Sequence, residues 1–178
     1  MKFRDLTADE IEVRVQSVKE KGLVLLLYKN ARCDMNILDE TVGAENWQRE
    51  HYECKGNLFC RVGIDVNALA KNNTPNWVWK SDCGVESNTE AQKGEASDSF
   101  KRACFNWGIG RELYASPFIW ISADKCNINN GKCYDRFEVE KIVIKNKKIV
   151  ALSILNKSIK ANSVKDQRCF VWQKEAKE

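Results

Sequence analysis

Apolar positions along the chain recur with two different periods. From 57 to 65, Leu58, Cys60, Val62 and Ile64 alternate with Phe59, Arg61 and Gly63. A period of two predicts a half-buried strand. The stretches 46–54 and 76–84 read as further strands, and the short connections make the three an antiparallel meander. Next, Ala96, Phe100, Cys104 and Trp107 fall at near-helical spacing. They predict a main helix over 88–107, capped by Ser87 or Asn88, with Glu90 in its first turn and Gly108 and Gly110 at its end.

Ahead of the meander, Met35, Leu38 and Val42 place a short helix over 31–42 that stops at Gly43. The apolar run Leu23–Tyr28 is ambiguous by periodicity alone and is read as a buried strand or extended segment. Thr7 and Glu10 have capping-box spacing, and Ile11, Val15 and Val18 follow at helical intervals. Residues 8–21 are therefore expected to be a helix, ended by Gly22. Past residue 132 the period of two returns in 134–145 and 148–155. Asn146-Lys147 between them predicts a β-hairpin, with a further strand at 168–173 and a link over 121–132. The fold class is α+β: an antiparallel β-β-β-α core with flanking helices, plus a C-terminal β-hairpin extension. The expected division is 1–122 for the core and 123–178 for the extension.

Length allows this: 178 residues suit one ordinary domain with a small appendage. Charge sharpens it. The formal net charge is only +4, and residues 130–178 hold 12 basic and 6 acidic side chains. A blanket of lysines for any polyanion is excluded, so a nucleic-acid surface must come from a few placed cations. The N-terminal residues MKFRDLTADEIEVRV contain no signal-peptide core, and no apolar run spans a bilayer. The expected location is the cytoplasm, where the eight cysteines stay reduced and most serve as buried thiols.

Enzyme chemistry finds little support. His51 is the only histidine and sits among charged residues, so a Cys–His pair is not indicated. No GxSxG, HExxH or Walker sequence is present, and the GxG of residues 108–110 is explained by helix termination. No cofactor is expected and no metal site, since Cys126 and Cys133 without histidine are a poor ligand set. The basic residues are more informative. Lys101 and Arg102 adjoin on the late part of the main helix, Lys93 lies two turns earlier, Arg111 just beyond, and Arg32 opens the short helix. Cations on rigid elements can track a phosphate backbone. Aromatic side chains near them could stack bases, although core packing is the expected role of Trp47, Trp77 and Trp107.

The order of these segments resembles a known family. ARCDMNILDETVGAENW, then the strands LFCRVGI and WVWKSDCGVES, then EAQKGEASDSFKRACFNWGIGRELY, are similar to the Rad52 family of single-strand annealing proteins, above all its phage-encoded, Sak-type branch. The resemblance covers about residues 7–120. It implies a non-enzymatic protein that anneals complementary DNA strands without ATP in recombination and repair. It also implies a homo-oligomeric ring or filament with single-stranded DNA in a basic groove. Carried over by position, Lys101 and Arg102 match the Lys-Arg pair of that groove, Lys93 an earlier basic residue, and Arg32 the arginine before the GxxNW motif. Arg111, Lys80 and Arg61 complete the expected DNA-binding set. Phe105 stands where the family often has a further basic residue, and Ala44 where it often has an aromatic. The alternatives are a strand-protecting protein that does not anneal, or a module whose basic tail (Lys145, Lys147, Lys148, Lys157, Lys160) docks a single-strand binding protein or replisome partner. A cysteine hydrolase is the remote third.

Overall fold

A computed structural model describes residues 1–70, 74–85, 91–160 and 162–174. The chain forms two compact units, Met1–Arg4 with Asn30–Gly110, and Asp5–Lys29 with Arg111–Glu178. These units differ from the division expected at residue 122, because the early strands of the chain pack with the late ones.

The first unit holds α1 (Ala31–Val42), the strands β3 (Trp47–Cys54), β4 (Asn57–Asp65) and β5 (Trp77–Cys83), and α2 (Ala91–Trp107). α1 begins where the Asn30 side chain accepts hydrogen bonds from the N–H groups of Arg32 and Cys33, at 2.9 and 3.1 Å. It ends at Gly43, whose φ of 88° is the left-handed region that glycine occupies without strain. The meander is antiparallel, in the order β3-β4-β5, as its alternation predicts. Cys60, Val62 and Ile64 of β4 are fully buried, and so are Phe100, Ala103 and Cys104 of α2. The period of two in the strand and the near-four spacing in the helix thus meet as one core. The expected caps Ser87 and Asn88, and Glu90, lie outside the described residues.

The second unit is a six-stranded antiparallel sheet in the order β6-β2-β1-β7-β8-β9. Its strands are β1 (Glu12–Lys19), β2 (Gly22–Tyr28), β6 (Ile119–Ser122), β7 (Phe137–Lys145), β8 (Lys148–Asn156) and β9 (Arg168–Gln173). The end strands β6 and β9 approach one another, so the sheet curls towards closure around Leu23, Leu25, Ile121, Ile149 and Ile154. Two expectations are corrected here. Residues 8–21 are not a helix: a single 3-10 turn at Ala8–Glu10 gives way to β1. The local cap is real, with the Glu10 carboxylate accepting from the Thr7 N–H at 2.9 Å. Past it, Ile11, Val13 and Val15 alternate with charged residues, and these β-branched side chains suit a strand. The helical spacing arose from omitting Val13, and a bulge between Val15 and Ser17 brings Val18 onto the face of Val15 although it is out of step in the sequence. Nor do the C-terminal strands form an appendage. β7 and β8 pair across Asn146-Lys147, both at positive φ, but they are inner members of the six-stranded sheet. Part of the expected link is itself the strand β6, paired with β2.

Ion pairs fasten this unit. The Lys147 ammonium lies 2.9 Å from Asp5 and 3.7 Å from the fully buried Glu112, which also accepts from the Leu6 N–H at 2.7 Å. Glu140 accepts a forked pair of hydrogen bonds from Arg168 across β8, the Nε arm at 2.7 Å. Hydrogen bonding from Arg168 holds the Glu140 carboxyl at about 2 instead of its ordinary 4.5. A depressed carboxyl stabilises the fold fully above its ordinary pKa and loses that contribution as the pH falls through the folded-state value. Glu140→Gln should therefore lower the unfolding midpoint at neutral pH. Thermal unfolding followed by circular dichroism should show the gap from wild type closing as the pH drops from about 5 to about 2.

Candidate nucleic-acid interface

The three-stranded sheet of the first unit has two unlike faces, fixed by its register. Trp47, Ile64 and Val78 share one face with Arg49, Val62 and Lys80 and with His51, Cys60 and Asp82. α2 packs on this side. The Trp107 indole donates to the Val62 carbonyl at 3.0 Å, and His51 Nε2 lies 3.1 Å from the Ala96 carbonyl oxygen. The Leu58 N–H donates to the Glu95 carboxylate at 3.1 Å. At the end of β5 the approach is backbone to backbone. A Cβ on Gly84 would sit 2.2 Å from the Glu95 carbonyl oxygen, so only glycine fits there.

Two expected DNA-binding residues, Lys80 and Arg102, come together on this side. The Lys80 ammonium donates to the Asn106 carbonyl at 2.8 Å, in the last turn of α2, and sits 4.6 Å over the Trp107 ring. A cation there favours the negative end of the helix dipole. Arg102 Nε lies 3.4 Å from Asp82, and the Asn106 amide donates to the Ser81 carbonyl at 3.0 Å. Lys101 and Arg102 are half-buried beside the core stripe, and Lys93 is exposed near the start of the helix. Arg32 is exposed in the first turn of α1. Arg61 stands on the opposite face of the sheet, and Arg111 belongs to the second unit, in the 3-10 turn Arg111–Ala115. The alternation of β4 in the sequence already separates Arg61 from Val62 and Lys80, whereas Arg49 went unnoticed. It places its guanidinium 4.8 Å over the Phe100 ring, and only the register of β3 reveals this.

The opposite face carries aromatics, of which Trp77 was expected in the core. Tyr52 and Phe59 stack at 5.5 Å with planes 23° apart. Trp77 and Trp79 lie 6.3 Å apart, and Trp77 is 37 % exposed, so it is not a core residue as expected. Trp47 and Trp107 do pack inward: Trp47 stacks on Phe100 at 6.2 Å and donates to Asp39 at 2.6 Å.

Thiol chemistry gains nothing from this arrangement. None of the eight cysteines is in a disulfide, and five are buried. Burial pushes the Cys60 thiol up to about 11 and the Cys169 thiol up to about 12, away from the thiolate that a nucleophile needs. Among the described residues, no group of three or more His, Cys, Asp or Glu side chains is placed to hold a metal ion. No helix among them is long and apolar enough to cross a membrane. Because the cations of α2 depend on its seat, Gly84→Ala should cost about 1–3 kcal/mol or more by forcing backbone from backbone. Denaturant unfolding should show this loss, together with weaker protection of the α2 amides in hydrogen exchange.

No curated protein and no solved structure matches the chain. The model of the Rad52/22 family double-strand break repair protein matches residues 3–132. The match takes in the whole meander and α2, and stops before β7. It covers well over half of the 178 residues. The chain belongs to the Rad52/22 family of double-strand break repair proteins.

Proposed function

We propose that this protein anneals complementary single strands of DNA without ATP, acting as an oligomer in recombination and repair. Membership of the Rad52/22 family supports DNA repair and strand annealing in general. The observation that carries the finer reading is the seat of α2. Phe100, Ala103 and Cys104 are fully buried on either side of Lys101 and Arg102, so the backbone that carries both cations is fixed along the buried seat of the helix. Phosphate contacts made this way position a strand without reading its sequence. Pairing of the strands then supplies all selectivity. A net charge of +4 is modest, but in a ring or filament each cation recurs once per subunit and the track becomes continuous. Arg32 and Lys93 extend the track within the first unit, and Lys80 braces it from β5. The exposed edges of β3 and β5 suit sheet extension between subunits. The setting is the cytoplasm, that of a bacterial host if the gene is phage-borne.

A second reading concerns the C-terminal strands. Residues 137–173 lie outside the family match and expose Lys145, Lys148 and Lys157. An acidic segment of a single-strand binding protein is the fitting partner. Lys147 is not part of that surface, being tied to Asp5 and Glu112. Since β7–β9 complete the six-stranded sheet, charge reversal at the exposed lysines is the cleaner probe than truncation. It should leave annealing of bare DNA unchanged and slow annealing of protein-coated strands.

The main reading has a direct test. The double variant Lys101→Ala, Arg102→Ala should fold and oligomerise as wild type yet lose most single-strand binding, about tenfold or more at moderate salt. Annealing by this variant at the wild-type rate, followed by fluorescence of labelled complementary oligonucleotides, would remove the helix track from the account.

A further inference from the structure

The face of the β3-β4-β5 sheet turned away from α2 has a use of its own. Within the first unit no described element covers it. It is built in rows: Tyr52, Phe59 and Cys83; then Glu50, Arg61 and Ser81; then Gln48, Gly63 and Trp79. At its centre is a layered stack. A Cβ on Gly63 would fall 2.8 Å from three atoms of the Trp79 ring, so the indole lies directly against bare backbone. The Arg61 guanidinium sits 4.6 Å over that ring. Glu50 accepts from Arg61 Nε at 2.9 Å and from Nη2 at 2.6 Å, which fixes the guanidinium in place. The Arg61 side chain remains 44 % exposed and that of Glu50 53 %. A cleft of about 480 Å³ opens here, lined by Glu50, Tyr52, Arg61, Trp79 and Ser81.

We propose that this face is a base-stacking platform for single-stranded DNA, distinct from the phosphate track on α2. The inference rests on the annealing reading and adds a second mode of contact to it. The chemistry selects the occupant. A planar heterocycle extends the Gly63–Trp79–Arg61 stack by one more layer, and guanidinium planes and aromatic rings both take bases in this way. An apolar protein surface would instead strip water from the Arg61–Glu50 pair without replacing it, at a cost in free energy. A phosphate is disfavoured by the Glu50 carboxylate, so this surface takes bases and leaves the backbone outside. Tyr52 stacked on Phe59 continues the platform along the strand direction. Holding bases by their faces leaves their pairing edges open, which is what annealing requires.

The test compares an oligonucleotide of normal bases with one of equal length made of abasic sites, in fluorescence anisotropy at fixed salt. Wild type should bind the normal strand about tenfold more tightly than the abasic one, the size expected of one or two stacked bases. Arg61→Lys keeps the charge but loses the plane, and should erase most of that preference while binding the abasic strand as before. Gly63→Ala, which pushes the indole off the sheet, should do the same; circular dichroism verifies that both variants are folded. Equal affinity of wild type for the two strands overturns the platform and leaves the phosphate track standing. An undiminished base preference in folded Arg61→Lys overturns it too. So does a change in light-scattering mass of that variant without a change in base preference, which would make the face a contact between copies. Failure of wild type to bind either strand overturns the annealing reading itself, and the platform with it.

Discussion

Everything in the first unit depends on one contact, the burial of α2 on β4. Phe100, Ala103 and Cys104 meet Cys60, Val62 and Ile64 with no solvent between them. Burying Phe100, Val62 or Ile64 is worth about 1.5–3 kcal/mol each relative to exposure, and the smaller Ala103 less. Gly84 lets the helix backbone come down onto the end of β5, and Trp107 locks the other end through the Val62 carbonyl. With the helix fixed in rotation, Lys101 and Arg102 have no choice of side. The same contact gives the sheet one covered face and one uncovered within the unit, so a single packing event sets up two unlike surfaces.

In the proposed reading those two surfaces divide the chemistry of a nucleic acid between them. The helix side offers cations, each braced by a neighbour: Lys80 by the Asn106 carbonyl and Trp107, Arg102 by Asp82, Arg49 by Phe100. The far side offers rings and a guanidinium plane. Phosphates and bases ask for different partners, and in this reading each finds its own. Neither requires a nucleophile, and burial raises the thiols of Cys60, Cys126 and Cys169 away from the thiolate form.

Much of this was legible in the chain because local and tertiary signals agree. The alternation in 57–65 and the stripe Phe100–Cys104–Trp107 each describe a face, and each face is buried. Where they conflict, the reading failed. Thr7 and Glu10 do form their local cap, but the β-branched alternation Ile11–Val13–Val15 and pairing with β2 override the helix that the cap suggests. The placement of β1 beside β7 and of β2 beside β6 is long-range, and nothing local announces it. The cations of α2 were readable from the order of residues along the helix. The aromatic platform was not, because it exists only once the register sets Glu50, Arg61 and Ser81 side by side and lays Trp79 on Gly63. Trp77 looked like core by composition and is exposed by geometry.

The most direct measurement is the rate at which the purified protein joins complementary oligonucleotides in the absence of ATP, taken beside its light-scattering mass on the same sample. The account predicts a large oligomer that accelerates annealing well beyond the spontaneous rate. A monomer that neither binds nor anneals single strands would contradict it, leaving the family fold without the family's activity.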